Sequence, residues 1–323
     1  MTAPAPVPAV AAVAALAGLA WPGPLSHEFV RNAVLAGTPA ALAVGLAGWF
    51  VVLRDQVFAG DALSHVAFTA GMAALAYGLD LRVGVYAGTL VVGALLGLVG
   101  GRAAHAGEAA VGVVFAWVLG LGAYFLSVFL DRQATGQSSA AVRVLFGSVF
   151  GIGAGQVRLT ALVSAAVVVA VLAVGRPLLL STLQPDAAAA RGIPVRLVEV
   201  GFSAALGLAV AQAVQVVGAL LVLALVATPA ATAGRCTARP WRALALSGGM
   251  AVGAVWVGIG LSYLRADLPP SFVIVSLLFV AYLASITAGA VRSRRRRGAP
   301  GGPVPAAVSG SGGSGRRSPP GGR

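Results

Sequence analysis

Asp61 and His65 are the residues whose types and spacing carry the plainest chemistry in this chain. They stand in Gly60-Asp61-Ala62-Leu63-Ser64-His65, at the opening of an apolar segment that runs to Tyr77. Four residues is just over one helical turn, so a carboxylate and an imidazole project from one face, with Ser64 beside them. Carboxylate oxygen with imidazole nitrogen suits a divalent transition ion such as zinc, manganese or iron. Each ionisable group placed in a membrane helix costs about 2.5 to 3.5 kcal/mol on insertion scales, which makes the pair functional candidates. The plain alternative is that Asp61 N-caps the helix and His65 sits near the membrane interface.

Other acids are read more modestly. Glu108 and Glu199 each open an apolar span, and Asp267 closes the outer loop Tyr263–Pro270. These positions suit interfacial or helix-starting carboxylates. For Asp267 the alternative is a carboxylate that meets incoming ions. Enzymatic classes fall away. His27, His65 and His105 lie far apart, so there is no His-Glu-x-x-His helix of a metalloprotease. The chain contains no lysine, hence no glycine-rich phosphate loop ending in Lys, and cannot supply a standard ATP site. The single Cys236 excludes an internal disulfide framework.

The elements that must position Asp61 and His65 follow from composition. Hydrophobic residues make up 59% of 323, charged residues only 10%, and the mean hydropathy is +0.93. A soluble chain carries about 25% charged residues, so this one is an all-α polytopic membrane bundle. Bilayer-length runs, about 20 residues each, are Asn32–Leu53, Ala62–Leu79, Val83–Gly101, Ala109–Leu130, Leu159–Gly175, Val200–Gly234, Ala243–Leu264 and Leu268–Val291. At 35 residues Val200–Gly234 would be about 52 Å long as one helix. It is read as two spans with a turn near Gln212–Gly218, giving about eight to nine spans in all. No alternation of polar and apolar residues suggests a barrel.

All 22 basic residues are arginine. Thirteen (54, 102, 176, 191, 196, 235, 239, 242, 292 and 294–297) fall in one alternating set of loops and the near end of the tail. Five (82, 132, 143, 158 and 265) fall in the other set. The richer set is assigned to the cytoplasm, and the C-terminal tail with it. Residues 1–24 form an apolar Pro/Ala-rich lead-in, 25–291 the transmembrane domain, and 292–323 a basic Gly/Pro/Ser-rich disordered tail. The arginine cluster is matched to anionic lipid, not nucleic acid. Glycines spaced by four (84 and 88; 93, 97 and 101; 249 and 253) would let helices approach closely.

The loop Leu179–Arg196 is the second informative segment. Pro185 and Asp186 start a short helix, Ala187–Arg191 continue it, and Gly192 with Pro194 stop it. Such a helix between two spans suits either docking into a partner's groove or an ordinary linker.

Four segments occurring in order resemble the permease family of zinc, manganese and iron ABC importers. They are Phe50–Arg54 continuing through Gly60–His65, then Gln184–Val195, Gly218–Ala233, and Leu261–Pro270. The resemblance spans roughly Leu25–Val291. It implies a membrane permease that acts as a homodimer, couples to a separate cytoplasmic ATPase and receives metal from an extracytoplasmic binding protein. It binds no permanent cofactor, the divalent metal being cargo. By the same resemblance Asp61 and His65 meet the metal, and Asp186–Pro194, including Arg191 and Gly192, docks the ATPase. Two facing copies would bring four ligands together where one chain offers two. An ion-coupled secondary transporter or a channel is the competing class.

Overall fold

The computed structural model describes residues 27–100, 104–132, 145, 147, 149–265 and 267–297. The described chain is helical with no strand. In order the helices are α1 (Glu28–Leu53), α2 (Val57–Ala76), α3 (Leu81–Gly100), α4 (Ala104–Arg132), α5 (Ala154–Ala173) and α6 (Gly175–Leu183). They continue as α7 (Pro185–Ala190), α8 (Val195–Val217), α9 (Val222–Cys236), α10 (Pro240–Leu264) and α11 (Pro270–Arg297).

Helix α1 lies at the centre: 72% of its apolar window is buried, against 17% for α4 at the periphery. It packs on α5, α8, α9 and α10. Its sequence explains the position, because Ala33, Ala36, Ala40, Ala43 and Ala47 are fully buried or nearly so and keep the helix narrow. At Gly48 the backbone of α1 meets the backbone carbonyl of Val226 in α9, with no room for a β-carbon. Polar side chains add cross-links. The Ser247 hydroxyl donates to the Gly45 carbonyl at 2.7 Å, and the Trp256 indole donates to Thr38 Oγ1 at 2.8 Å.

Helix α3 is gripped on two sides through its glycines. Gly84 and Gly88 lie against Ala70 of α2, while Gly93 and Gly97 lie against Ser203 and Val200 of α8. Gly249, four residues before Gly253 on α10, faces open space. Gly101 is outside the described residues.

Seven described helices are long and apolar enough to cross a bilayer: α1, α3, α4, α5, α8, α10 and α11. The expected count of eight to nine is therefore slightly high. Helix α2 has the length, at 20 residues, but Asp61, Ser64 and His65 dilute its apolar character. Helix α9 has only 15 residues, about 22 Å, short of a 30 Å hydrocarbon core. The expected break in Val200–Gly234 occurs at Gly218, whose φ of 98° only glycine adopts readily. Gln212 and Gln215, expected to mark the turn, lie inside α8. Helix α11 continues through the arginine cluster to Arg297, six residues past the boundary expected at 291. Residues 1–24 and 298–323 lie outside the described residues.

Candidate functional site

Helix α2 is fixed at both ends by the same device. At its start, Asp55 (φ 53°) follows α1 in the left-handed region; its N–H donates to the Val52 carbonyl and that of Gln56 to the Val51 carbonyl. At its end, Gly78 (φ 73°) and Leu79 make the equivalent bonds to Leu75 and Ala74. Both are Schellman closures, which satisfy the last carbonyls of a helix and set the exit direction of the chain. Aspartate is one of the few non-glycine residues that tolerate this conformation.

The helix starts at Val57, so Asp61 stands in its second turn and is not the N-cap. The capping alternative fails because four residues precede Asp61 in the helix. Ser64 is buried, and its hydroxyl is spent on the Asp61 backbone carbonyl at 2.7 Å. Asp61 and His65 are half-buried on one face. Among the described residues, neither side chain makes a hydrogen bond or an ion pair. The imidazole meets Phe115 of α4 edge to face, centroids 5.1 Å apart, and Phe115 meets Phe58 at 5.2 Å. Two phenyl rings in series thus flank the imidazole of His65. No group of three or more His, Cys, Asp or Glu side chains gathers among the described residues.

The remaining sequence candidates lie elsewhere. Glu199 is half-buried in the second turn of α8, one turn later than a helix-opening position. Asp267 is exposed in the turn between α10 and α11. Glu108 lies within α4, with its side chain outside the described residues.

The short helix expected after Gln184 is present as α7, with Pro185 and Asp186 in its first turn. Gly192 (φ 75°) closes it, its N–H donating to the Ala189 carbonyl and that of Ile193 to the Ala188 carbonyl. Ala188 is fully buried, whereas Asp186, Arg191, Gly192 and Pro194 are exposed. One side of α7 is seated on the protein and the other is open. Beside it runs an open groove lined by Arg176, Leu180, Leu183, Arg191, Ile193 and Trp241, among others.

Two polar features escaped the sequence reading. One is a cluster inside the bundle. Gln156 of α5 donates to Gln215 of α8 at 2.8 Å; the Gln212 amide donates to the Thr160 carbonyl at 2.9 Å and to Ser164. The buried hydroxyl of Tyr86 lies near Gln215 and Thr160 without a hydrogen bond of good geometry to either. The signal was present: Gln212 and Gln215 are three apart, which puts both on one helical face. The other feature is Arg54, read as a loop charge at the end of the resembling segment Phe50–Arg54 with no partner foreseen. It crosses to α6 and donates to Thr182 Oγ1 at 2.8 Å and Ser181 Oγ at 3.3 Å.

The model of the ABC 3 transport family matches residues 26–289. The chain belongs to that family. This bears out the resemblance to permeases of metal ABC importers, and the protein is a transporter component, not an enzyme. Among curated relatives, the manganese transport system membrane protein MntC of Halalkalibacterium halodurans is 29% identical over 67% of this chain and 72% of its own length. The manganese import system permease protein ScaB of Streptococcus parasanguinis is 25% identical over 73% and 82%. A probable iron transport system membrane protein of Haemophilus influenzae is 24% identical over 74% and 86%. Among solved structures, PsaBC from Streptococcus pneumoniae in complex with Fab superposes with a TM-score of 0.69 at 24% identity. That match covers 81% of this chain and 92% of the other and establishes the permease fold.

Proposed function

We propose that this family member is the permease of an ATP-driven importer of a divalent metal ion, with Asp61 and His65 as the groups that receive and pass on the ion. The supporting observation is their placement: a carboxylate and an imidazole on one face of α2, neither in a hydrogen bond or ion pair among the described residues. An unpaired acid in a membrane bundle is costly unless a cation visits it. The named relatives carry manganese or iron, which an oxygen-plus-nitrogen pair accepts; such a pair does not choose among zinc, manganese and iron.

Two copies of the chain, related by a twofold axis, would join two Asp–His pairs into a four-ligand set. Helix α7, with Asp186, Arg191, Gly192 and Pro194, is the element that docks a separate ATPase, and the arginine-rich loops and the tail face the cytoplasm. An extracytoplasmic binding protein delivers the metal. Asp267 lies on that outer side under the same topology.

The test is metal uptake by membrane vesicles containing the permease and its cognate ATPase. Uptake that stops when the phosphate-loop lysine of the ATPase is replaced, and continues when ion gradients are collapsed, supports the importer. Uptake that follows the gradients and ignores the ATPase overturns it in favour of a secondary transporter.

A further inference from the structure

Arg54 occupies the joint between α1 and α2, and its side chain touches both helices that flank α7. Its backbone belongs to the Schellman closure that leads, seven residues on, to Asp61. Its Nε donates to Thr182 and one terminal nitrogen to Ser181, in the last turn of α6. Both hydroxyls already donate to the Leu178 carbonyl, at 2.6 and 2.9 Å, so their lone pairs are what they offer to Arg54. The guanidinium also lies over the ring of Phe202 in α8, 5.0 Å from its centroid, and that ring meets Phe50 of α1 at 5.9 Å. One side chain therefore links the element before α7, the element after it, and the entry to the helix of Asp61 and His65.

The arrangement is also incomplete. The second terminal nitrogen of Arg54 is buried without a hydrogen-bond partner. An orphaned buried donor destabilises the arrangement that holds it, the more so when it is charged. Burial pulls the Arg54 pKa below its ordinary value and the charge of Glu199 pulls it back up, yet no ion pair forms between the two. Glu199 stands on α8 three residues before Phe202, on the same helical face as the ring the guanidinium covers, while the guanidinium itself rests on two neutral hydroxyls.

We infer that Arg54 is a positioning residue that couples α7 to the helix carrying Asp61 and His65, by exchanging its Ser181–Thr182 bonds for the Glu199 carboxylate when α6 and α8 shift. The inference rests on the reading of α7 as the ATPase contact. A rigid element with two discrete arrangements, each touched by the same group, is what transmission between distant sites requires. A guanidinium fork can hold two hydroxyls or one carboxylate in the same plane, which lysine cannot.

The test uses the assembled permease–ATPase complex in proteoliposomes with metal-loaded binding protein. Three quantities are read: retained ATPase, basal ATP hydrolysis, and metal uptake per ATP. Arg54→Gln is expected to keep the first two near wild type and to lower uptake per ATP at least tenfold. Glu199→Gln, which leaves the observed Arg54 bonds intact, should show the same split, and Arg54→Lys should recover only part of the loss. Should Arg54→Gln fail to fold, Glu199→Gln and the milder Ser181→Ala with Thr182→Val still decide the matter. Normal uptake per ATP in Glu199→Gln, or a loss that tracks ATPase retention in every variant, overturns the inference. Failure of the wild-type permease to retain an ATPase through α7 would instead remove the docking reading itself.

Discussion

The guanidinium of Arg132 donates to the backbone carbonyl of Ala76 at 2.7 Å and lies over the ring of Tyr77, 5.4 Å from its centroid. The last residue of α4 thereby closes the far end of α2, whose near end carries Asp61 and His65. Thr69 adds a midway tie by donating to the Val118 carbonyl at 3.0 Å. The helix proposed to meet the ion is therefore held against α4 at three levels: Phe115, Val118 and Arg132.

Arg132→Ala should lower the thermal midpoint of the purified permease, since it removes a charge-assisted bond and a ring contact worth together about 1 kcal/mol at a partly exposed site. Uptake at moderate temperature should stay close to wild type. A thermal scan in detergent alongside an uptake assay separates the two effects.

Asp61→Ala and His65→Ala should each reduce metal uptake by at least tenfold while leaving the ATPase bound and the permease inserted. Asp61→Asn keeps the shape and removes the charge, so it should behave as Asp61→Ala does. Near-normal uptake in both alanine variants would remove the ion from this face of α2. The readout is radiometal accumulation, normalised to complex recovered.

Asp267→Asn should lower uptake when metal is scarce and spare it when metal is plentiful, if the exposed carboxylate meets arriving ions. An equal loss at both concentrations would assign Asp267 to the α10–α11 turn alone. Its exposure makes a large loss of stability unexpected.

Gly192→Glu should detach the ATPase for two reasons that can be told apart. A side chain at φ 75° strains the closure of α7 by roughly 1 kcal/mol, and the new carboxylate adds charge to the docking face. Gly192→Ala carries only the strain. Co-purification should therefore weaken modestly for alanine and fail for glutamate. Arg191→Glu, which leaves the backbone untouched, should resemble the glutamate variant.

Gln212→Leu should destabilise the α5–α8 contact by about 1 to 2 kcal/mol, because the Thr160 carbonyl and Ser164 lose their amide partner. Chemical denaturation monitored on the purified permease would read it.

Much of the bundle could be read from residue order. Long uncharged runs dictate helices, Pro185 and Gly192 punctuate α7 where expected, and the spacing of Asp61 and His65 places them on one face. What could not be read depends on neighbours distant in sequence. Nothing in residues 200–234 says whether two glutamines break a helix or bond sideways to another; the partners, Gln156 and Ser164, come from α5, dozens of residues earlier. Nor does Arg54 announce that it leaves the loop for Ser181 and Thr182. The start of α2 was missed by five residues because Val57–Gly60 looks like a connector, and only the closure at Asp55 lets helix resume so soon. Glycine spacing was equally blind: the pairs on α3 meet α2 and α8, whereas Gly249 meets nothing.

At position 48 the crossing of α1 over α9 has a genetic consequence. Every missense change reachable from a glycine codon by one nucleotide adds at least a β-carbon, and the Val226 carbonyl already fills that space. Alanine, the gentlest of these replacements, must push two central helices apart or bend one of them. Natural variants of this permease should therefore be silent at codon 48 or absent, although the residue has no side chain to offer a metal, and a deep mutational scan should find a column there with a single tolerated letter.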